Sequence, residues 1–124
     1  MRLIVDAMNV IGSRPDGWWK DRHRAIVGLV DLLERWAAVN DDEVTLVLEK
    51  PPSPPITSTV IEVAHAPRAR ANSADDEIVR LVGADAHPQN IRVVTSDHWL
   101  ADQVRAAGAS VEPAEGFRRR IEDD

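Results

Sequence analysis

Residues 2–12 read RLIVDAMNVIG, and this stretch decides the fold. The run at residues 3–5 is apolar without alternation, which suits a central strand covered on both faces. It ends on a carboxylate, Asp6, with an amide, Asn9, three residues later and no helical pattern yet begun. Buried strands of this kind belong to parallel sheets layered between helices, where chemistry gathers beyond the carboxyl ends of the strands.

Outward from this stretch, strands and helices are expected to alternate. Residues 22–39 carry Ile26, Leu29, Val30, Leu33, Trp36 and Ala37 at spacings of three and four, which predicts an amphipathic helix stopped near Asn40. EVTLVLE at 43–49 reads as a second buried strand, ended by the prolines of KPPSPPITS. STVIEVAHA at 58–66 reads as an edge strand, and Ser73 as the N-cap of a helix over ADDEIVRLVGA. IRVVTSD at 91–97 is a further strand, HWLADQVRAAG a helix with a glycine stop, and ASVEP a short last strand. AEGFRRRIEDD reads as a charged tail with one helical turn. The expected architecture is a three-layer α/β/α sandwich with a central, mostly parallel sheet. It forms a single domain over 1–124, with a core at about 2–117 and a tail at 118–124.

The 124 residues can bury a normal core without staples, and the lack of cysteine removes disulfides, thiolate metal sites and cysteine nucleophiles. No apolar run reaches bilayer length and no signal-like leader is present, so no membrane role and a cytoplasmic location are expected. The net charge of −6 argues against binding nucleic acid by charge alone, although acids that hold cations do not exclude a nuclease.

At the expected carboxyl edge, Asp6 and Asn9 follow the first strand, and Glu49 closes the second. Thr95, Ser96 and Asp97 follow the strand IRVV, and Asp75 and Asp76 open a helix. Oxygen ligands from separate segments are what Mg²⁺ or Mn²⁺ requires. Each residue also has a plainer explanation. Asp6 and Asn9 can cap a loop, Ser96 can be an N-cap with Asp97 a first-turn acid, and Glu77 suits an ordinary helix start. Convergence at one edge is what capping does not demand. Arg14, Lys20, Arg22, Arg68 and Arg70 are candidate phosphate contacts, and Trp18 and Trp19 candidate stacking, packing or homodimer contacts. The RRR at 118–120 is a candidate phosphate patch or a solvated run. His23, His65 and His87 show no ligand spacing, while His98, beside Asp97, is a candidate phosphate contact.

VDAMNVIG, SADDEIVRLV and VVTSDHWLADQVRAAGA, in that order, resemble the YacP-like branch of the NYN domains, within the PIN-like nuclease group. The resemblance implies a PIN-like fold, acids binding Mg²⁺ or Mn²⁺, and hydrolysis of RNA. By position it implies Asp6, Asp75, Asp76 and Asp97 as metal ligands, with Asp76 preferred to Asp75. Asp6, Asn9, Asp76 and Asp97 become the catalytic group and Asn9, Thr95 and Ser96 substrate contacts, to which Arg22, Arg68 and Arg70 are added from their place in loops and at a helix start near the same edge. One departure is LEKPP, where the family often carries an FDG-type element, so Glu49 replaces an expected aspartate and Lys50 a glycine.

Two functions follow as expectations. The first is a metal-dependent endoribonuclease. The alternative is a weak or inactive PIN-like module that binds RNA or a protein partner in ribosome or RNA-processing machinery. A nucleotide-binding module is disfavoured, because neither a G-x-x-x-x-G-K-[ST] loop nor a G-x-G-x-x-G fingerprint occurs.

Overall fold

A computed structural model of the chain describes residues 1–68 and 72–123. Five strands, β1 (Arg2–Asp6), β2 (Glu43–Leu48), β3 (Glu62–His65), β4 (Ile91–Val94) and β5 (Ser110–Glu112), form one sheet in the order β3-β2-β1-β4-β5. All four pairings are parallel, with Asp6 opposite Val47 and Val5 opposite Val94. The chain builds outward from β1 to β3 and then returns to β4 on the other side. The order therefore reverses between β1 and β4, the position at which open α/β sheets leave a crevice.

The helices are α1 (Ala7–Ile11), α2 (Arg22–Asn40), α3 (Ser73–Ala84), α4 (His98–Ala106) and α5 (Ala114–Glu122). Because side chains alternate along a strand, β1 feeds two cores. Leu3 and Val5 pack with Leu33, Trp36 and Phe117 beneath α2 and α5, while Ile4 packs with Ile78, Val82, Leu100 and Val104 beneath α3 and α4. This is the expected three-layer sandwich, with a wholly parallel sheet. Among the described residues, no helix is long and apolar enough to cross a membrane.

Several local expectations change. A short helix, α1, starts directly after Asp6 where no helical pattern was read; five residues are too few for periodicity to register. The edge strand is shorter than expected, at Glu62–His65. Asn72, with φ 62°, precedes α3, so Ser73 is its first residue rather than its cap. The glycine stop after α4 is Gly108, whose φ of 105° suits a residue without Cβ. The charged tail is a helix with a buried stripe of Ala114, Phe117 and Ile121. Two of its three arginines are occupied. Arg118 donates to the carbonyls of Val10 (3.3 Å) and Ile11 (3.1 Å) at the end of α1 and pairs with Asp16 (3.1 Å). Arg120 pairs with Glu112 (2.8 Å) and lies over Trp36, its Cζ 4.8 Å from the ring centroid.

Candidate active site

β1 and β4 deliver the centre of the site side by side. Asp6, the last residue of β1, is only 5% exposed. Thr95, buried just beyond β4, donates its hydroxyl to Asp6 Oδ2 (3.0 Å) and accepts from the Asp97 backbone N–H (3.1 Å). One hydroxyl thus sets both acids. Thr95 itself is enclosed, 1% exposed, with its hydroxyl engaged by these two bonds. Asp97, rather than Ser96, is the N-cap of α4, with Oδ1 accepting from the Leu100 N–H (2.8 Å). The cap bond engages only one oxygen of this carboxylate.

Asn9 and Ser96 stitch the surrounding elements. The Asn9 side-chain carbonyl accepts from the Ser96 N–H (2.8 Å), and the Ser96 hydroxyl accepts from the Ala114 N–H (3.0 Å) at the start of α5. On the other side, Ser73 donates its hydroxyl to the carbonyl of Glu49 (3.1 Å), tying the start of α3 to the end of β2. That tie holds Asp75 over the carboxyl edge.

The electrostatics distinguish the two adjacent aspartates. Burial pushes the Asp6 carboxyl up to about 7, and the charges of Asp75 and, more weakly, Asp97 add to it. The Thr95 hydroxyl and the Asn9 backbone amide pull in the opposite direction. Asp75, half-buried, is pushed up to about 6 by burial, then by Asp97, Asp76 and Glu49. Asp75 is thus the member of the pair whose charge is felt at Asp6. Neighbouring helical residues point about 100° apart, and Asp76 turns to the flank, beside Arg68 and Arg80. Glu77 is structural: Arg80 donates to both its oxygens (2.8 and 2.6 Å) and holds its carboxyl below the usual range.

The remaining candidates are dispersed. Arg22 is exposed beside the end of β2, its Cζ 5.3 Å from the Trp18 ring centroid. Arg68 is exposed on the α3 flank, and Arg70 lies outside the described residues. Arg14 is tied to Glu122, which removes it from the site. His98 is exposed at the first position of α4. Glu49 is exposed, close enough to act on Asp75.

The donor set is oxygen only, and among the described residues no cation contributes to the shifts of Asp6 or Asp75, which suits a hard divalent ion. The side chains are nevertheless not drawn together: among the described residues, no three acids or histidines stand close enough to hold an ion as they lie. An ion held by three of these side chains would require them to rotate. Sequence reading missed Met8 and Lys50, which line a cleft of about 500 Å³ running from this edge to the proline loop. The signal for Lys50 was its place directly after a strand-end acid.

A family model described as the YacP-like NYN domain matches residues 3–124, so the chain belongs to that family of PIN-like nuclease domains. No curated protein matches it. Among solved structures it is similar to Rae1 (YacP) from Bacillus subtilis, with a TM-score of 0.83 and 24% identity over 99% of this chain and 74% of that one. It is also similar to a point mutant of that protein, with a TM-score of 0.81 and 23% identity over 98% of this chain and 75% of that one. At such identities the likeness shows the fold.

Proposed function

Proceeding from membership of the YacP-like NYN family, we propose that this chain is a metal-dependent ribonuclease that cuts RNA internally, with Asp6, Asp75 and Asp97 at its reaction centre. Asp6 carries the reading. It is a buried carboxyl raised to about 7 by burial and by other acids. Such crowding lowers the stability of the ionised fold, and a divalent cation is the partner that reverses the sign.

When bound, Mg²⁺ or Mn²⁺ would acidify a water and offset charge on the phosphoryl group. Asp6, Asp75 and Asp97 would hold the ion, with Asp76 and Glu49 adding negative charge beside Asp75. Thr95 fixes the Asp6 carboxylate. The Asn9 side-chain NH2, its carbonyl already engaged, donates to a phosphate oxygen. Arg22 and Arg68 neutralise backbone phosphates on opposite flanks of the acids. Water adds to phosphorus, the bond to the leaving oxygen breaks, and that oxygen takes up a proton. No side chain bonds to phosphorus. The reading places the protein in the cytoplasm with RNA as substrate.

A second reading, a module that binds RNA or a ribosomal or RNA-processing partner without cutting, is favoured by the unconverged acids and by Glu49 in place of an aspartate. Labelled single-stranded RNA incubated with Mn²⁺, Mg²⁺ or chelator, beside Asp6→Asn, separates the two. Metal-dependent cutting that disappears in the variant supports the nuclease. A folded protein that cuts with neither metal supports the binding module.

A further inference from the structure

The cleft beside Glu49 has a composition unlike the acidic centre it adjoins. Its walls are the half-buried Met8, Ile26 and Pro52 with the buried Leu48, and its rim carries the exposed cations Arg22 and Lys50, which outnumber the one exposed acid there, Glu49. We propose that this cleft is a nucleotide subsite, in which the apolar walls enclose one unpaired base of the RNA strand while Arg22 and Lys50 take the phosphates on either side of it.

Four observations support this occupant. The volume of about 500 Å³ is in the range of small-ligand sites and exceeds what one base needs. The site adjoins the reaction centre, because Met8 lies two residues beyond Asp6 and Glu49 acts on Asp75. The walls are tied in place: His23 Nε2 is 2.8 Å from the carbonyl of Pro54, linking α2 to the proline loop. The charge is complementary, since phosphates are repelled by the acids but attracted to the two cations, and Arg22 lies against Trp18. Bases present apolar faces that tolerate such walls whatever their sequence, so the subsite selects for unpaired strands rather than for one base.

The inference rests on the ribonuclease reading only for the identity of the ligand, and binding without cleavage tests it separately. The chain has two methionines, so methyl-labelled protein gives two methionine signals, one from Met8 and one from Met1 at the far end of β1. The probe is a six-nucleotide, fully 2′-O-methylated single-stranded RNA, titrated in chelator. The expected result is a saturable ring-current shift of Met8 and of the Ile26 methyl, with Met1 unmoved. Lys50→Glu, at an exposed loop position, should weaken the affinity about tenfold. Base-paired RNA of the same composition should leave Met8 unmoved. RNA that binds without moving Met8 and Ile26 would overturn the subsite even if the protein cuts RNA, whereas a shifted Met8 in a protein that cuts nothing would keep the subsite and remove the nuclease. A Met8 shift with affinity unchanged by Lys50→Glu would overturn the role of the rim.

Discussion

Replacing Asp6 by asparagine should stabilise the metal-free protein, and by an amount that depends on pH. The folded carboxyl titrates at about 7, because burial and then Asp75 oppose its charge, against about 3.9 for an ordinary aspartate. The folded state therefore holds a proton that the unfolded chain has released. Stability from this group is complete below about pH 4 and is lost as pH rises toward about 7. The gap of roughly three pH units, at about 1.4 kcal/mol each, makes Asp6 cost about 4 kcal/mol at about pH 8, about 1.5 at pH 5 and under about 1 at pH 4. Asparagine keeps the shape and an acceptor for the Thr95 hydroxyl while removing the charge. For a domain of this size 1 kcal/mol corresponds to about 4 °C, so Asp6→Asn should melt about 10 °C or more above the parent at about pH 8 in chelator. Thermal unfolding followed by circular dichroism across pH is the assay. Mn²⁺ at about one hundred times its dissociation constant should raise the parent by about 2.7 kcal/mol and the variant by less. Equal melting temperatures at about pH 8, or an advantage undiminished near about pH 4.5, would refute the account of Asp6 as an acid held against its charge.

Other expectations follow from the same contacts. Asp97→Asn retains an acceptor for the Leu100 amide and should melt close to the parent while losing metal-dependent cleavage, whereas Asp97→Ala should also lose about 1 kcal/mol in denaturant titration. Asp75→Asn should reduce cleavage more than Asp76→Asn when single-turnover rates are compared; the reverse order would restore Asp76 to the centre. Thr95→Val should leave the Asp6 carboxylate and the Asp97 amide without their shared partner, cost about 1–3 kcal/mol, and raise the Asp6 pKa further when carboxyl carbons are followed by NMR. Phe117→Ala, wholly buried beneath α5, should cost about 3–5 kcal/mol in urea, where a solvated tail would cost nothing.

The layered fold was legible because its strongest signals are long or uniform. The apolar run of β1 and the helical spacing of α2 each point to one answer, and together they leave few topologies. What escaped is short or depends on distant residues. α1 spans little more than one turn, and its end is satisfied by Arg118, more than one hundred residues away. The helix over 114–122 hides its buried stripe of Ala114, Phe117 and Ile121 behind three consecutive arginines. At the site, the segments that carry acids were readable from strand-end position, but the division between Asp75 and Asp76 was not. It depends on the rotation of α3, set by the bond from Ser73 to the Glu49 carbonyl and by a left-handed Asn72 that no spacing rule anticipates. Thr95 shows the same limit. A threonine after a strand reads as an exposed hydroxyl, and only packing reveals it as the buried support of the Asp6 carboxylate and the Asp97 backbone amide.

The clamp that Arg118 places on α1 has a consequence for the order in which the molecule is made. A growing chain already carries Asp6, Glu49, Asp75 and Asp97 once residue 97 has been added. Yet the helix bearing Asn9 still lacks the guanidinium at its far end, and the Ser96 hydroxyl lacks the Ala114 amide. Domains are assembled as units while synthesis proceeds, so translation past residue 118 is what completes the supports of this carboxyl edge. A strand edge built this way reaches its final geometry late, after most of the described residues have been synthesised.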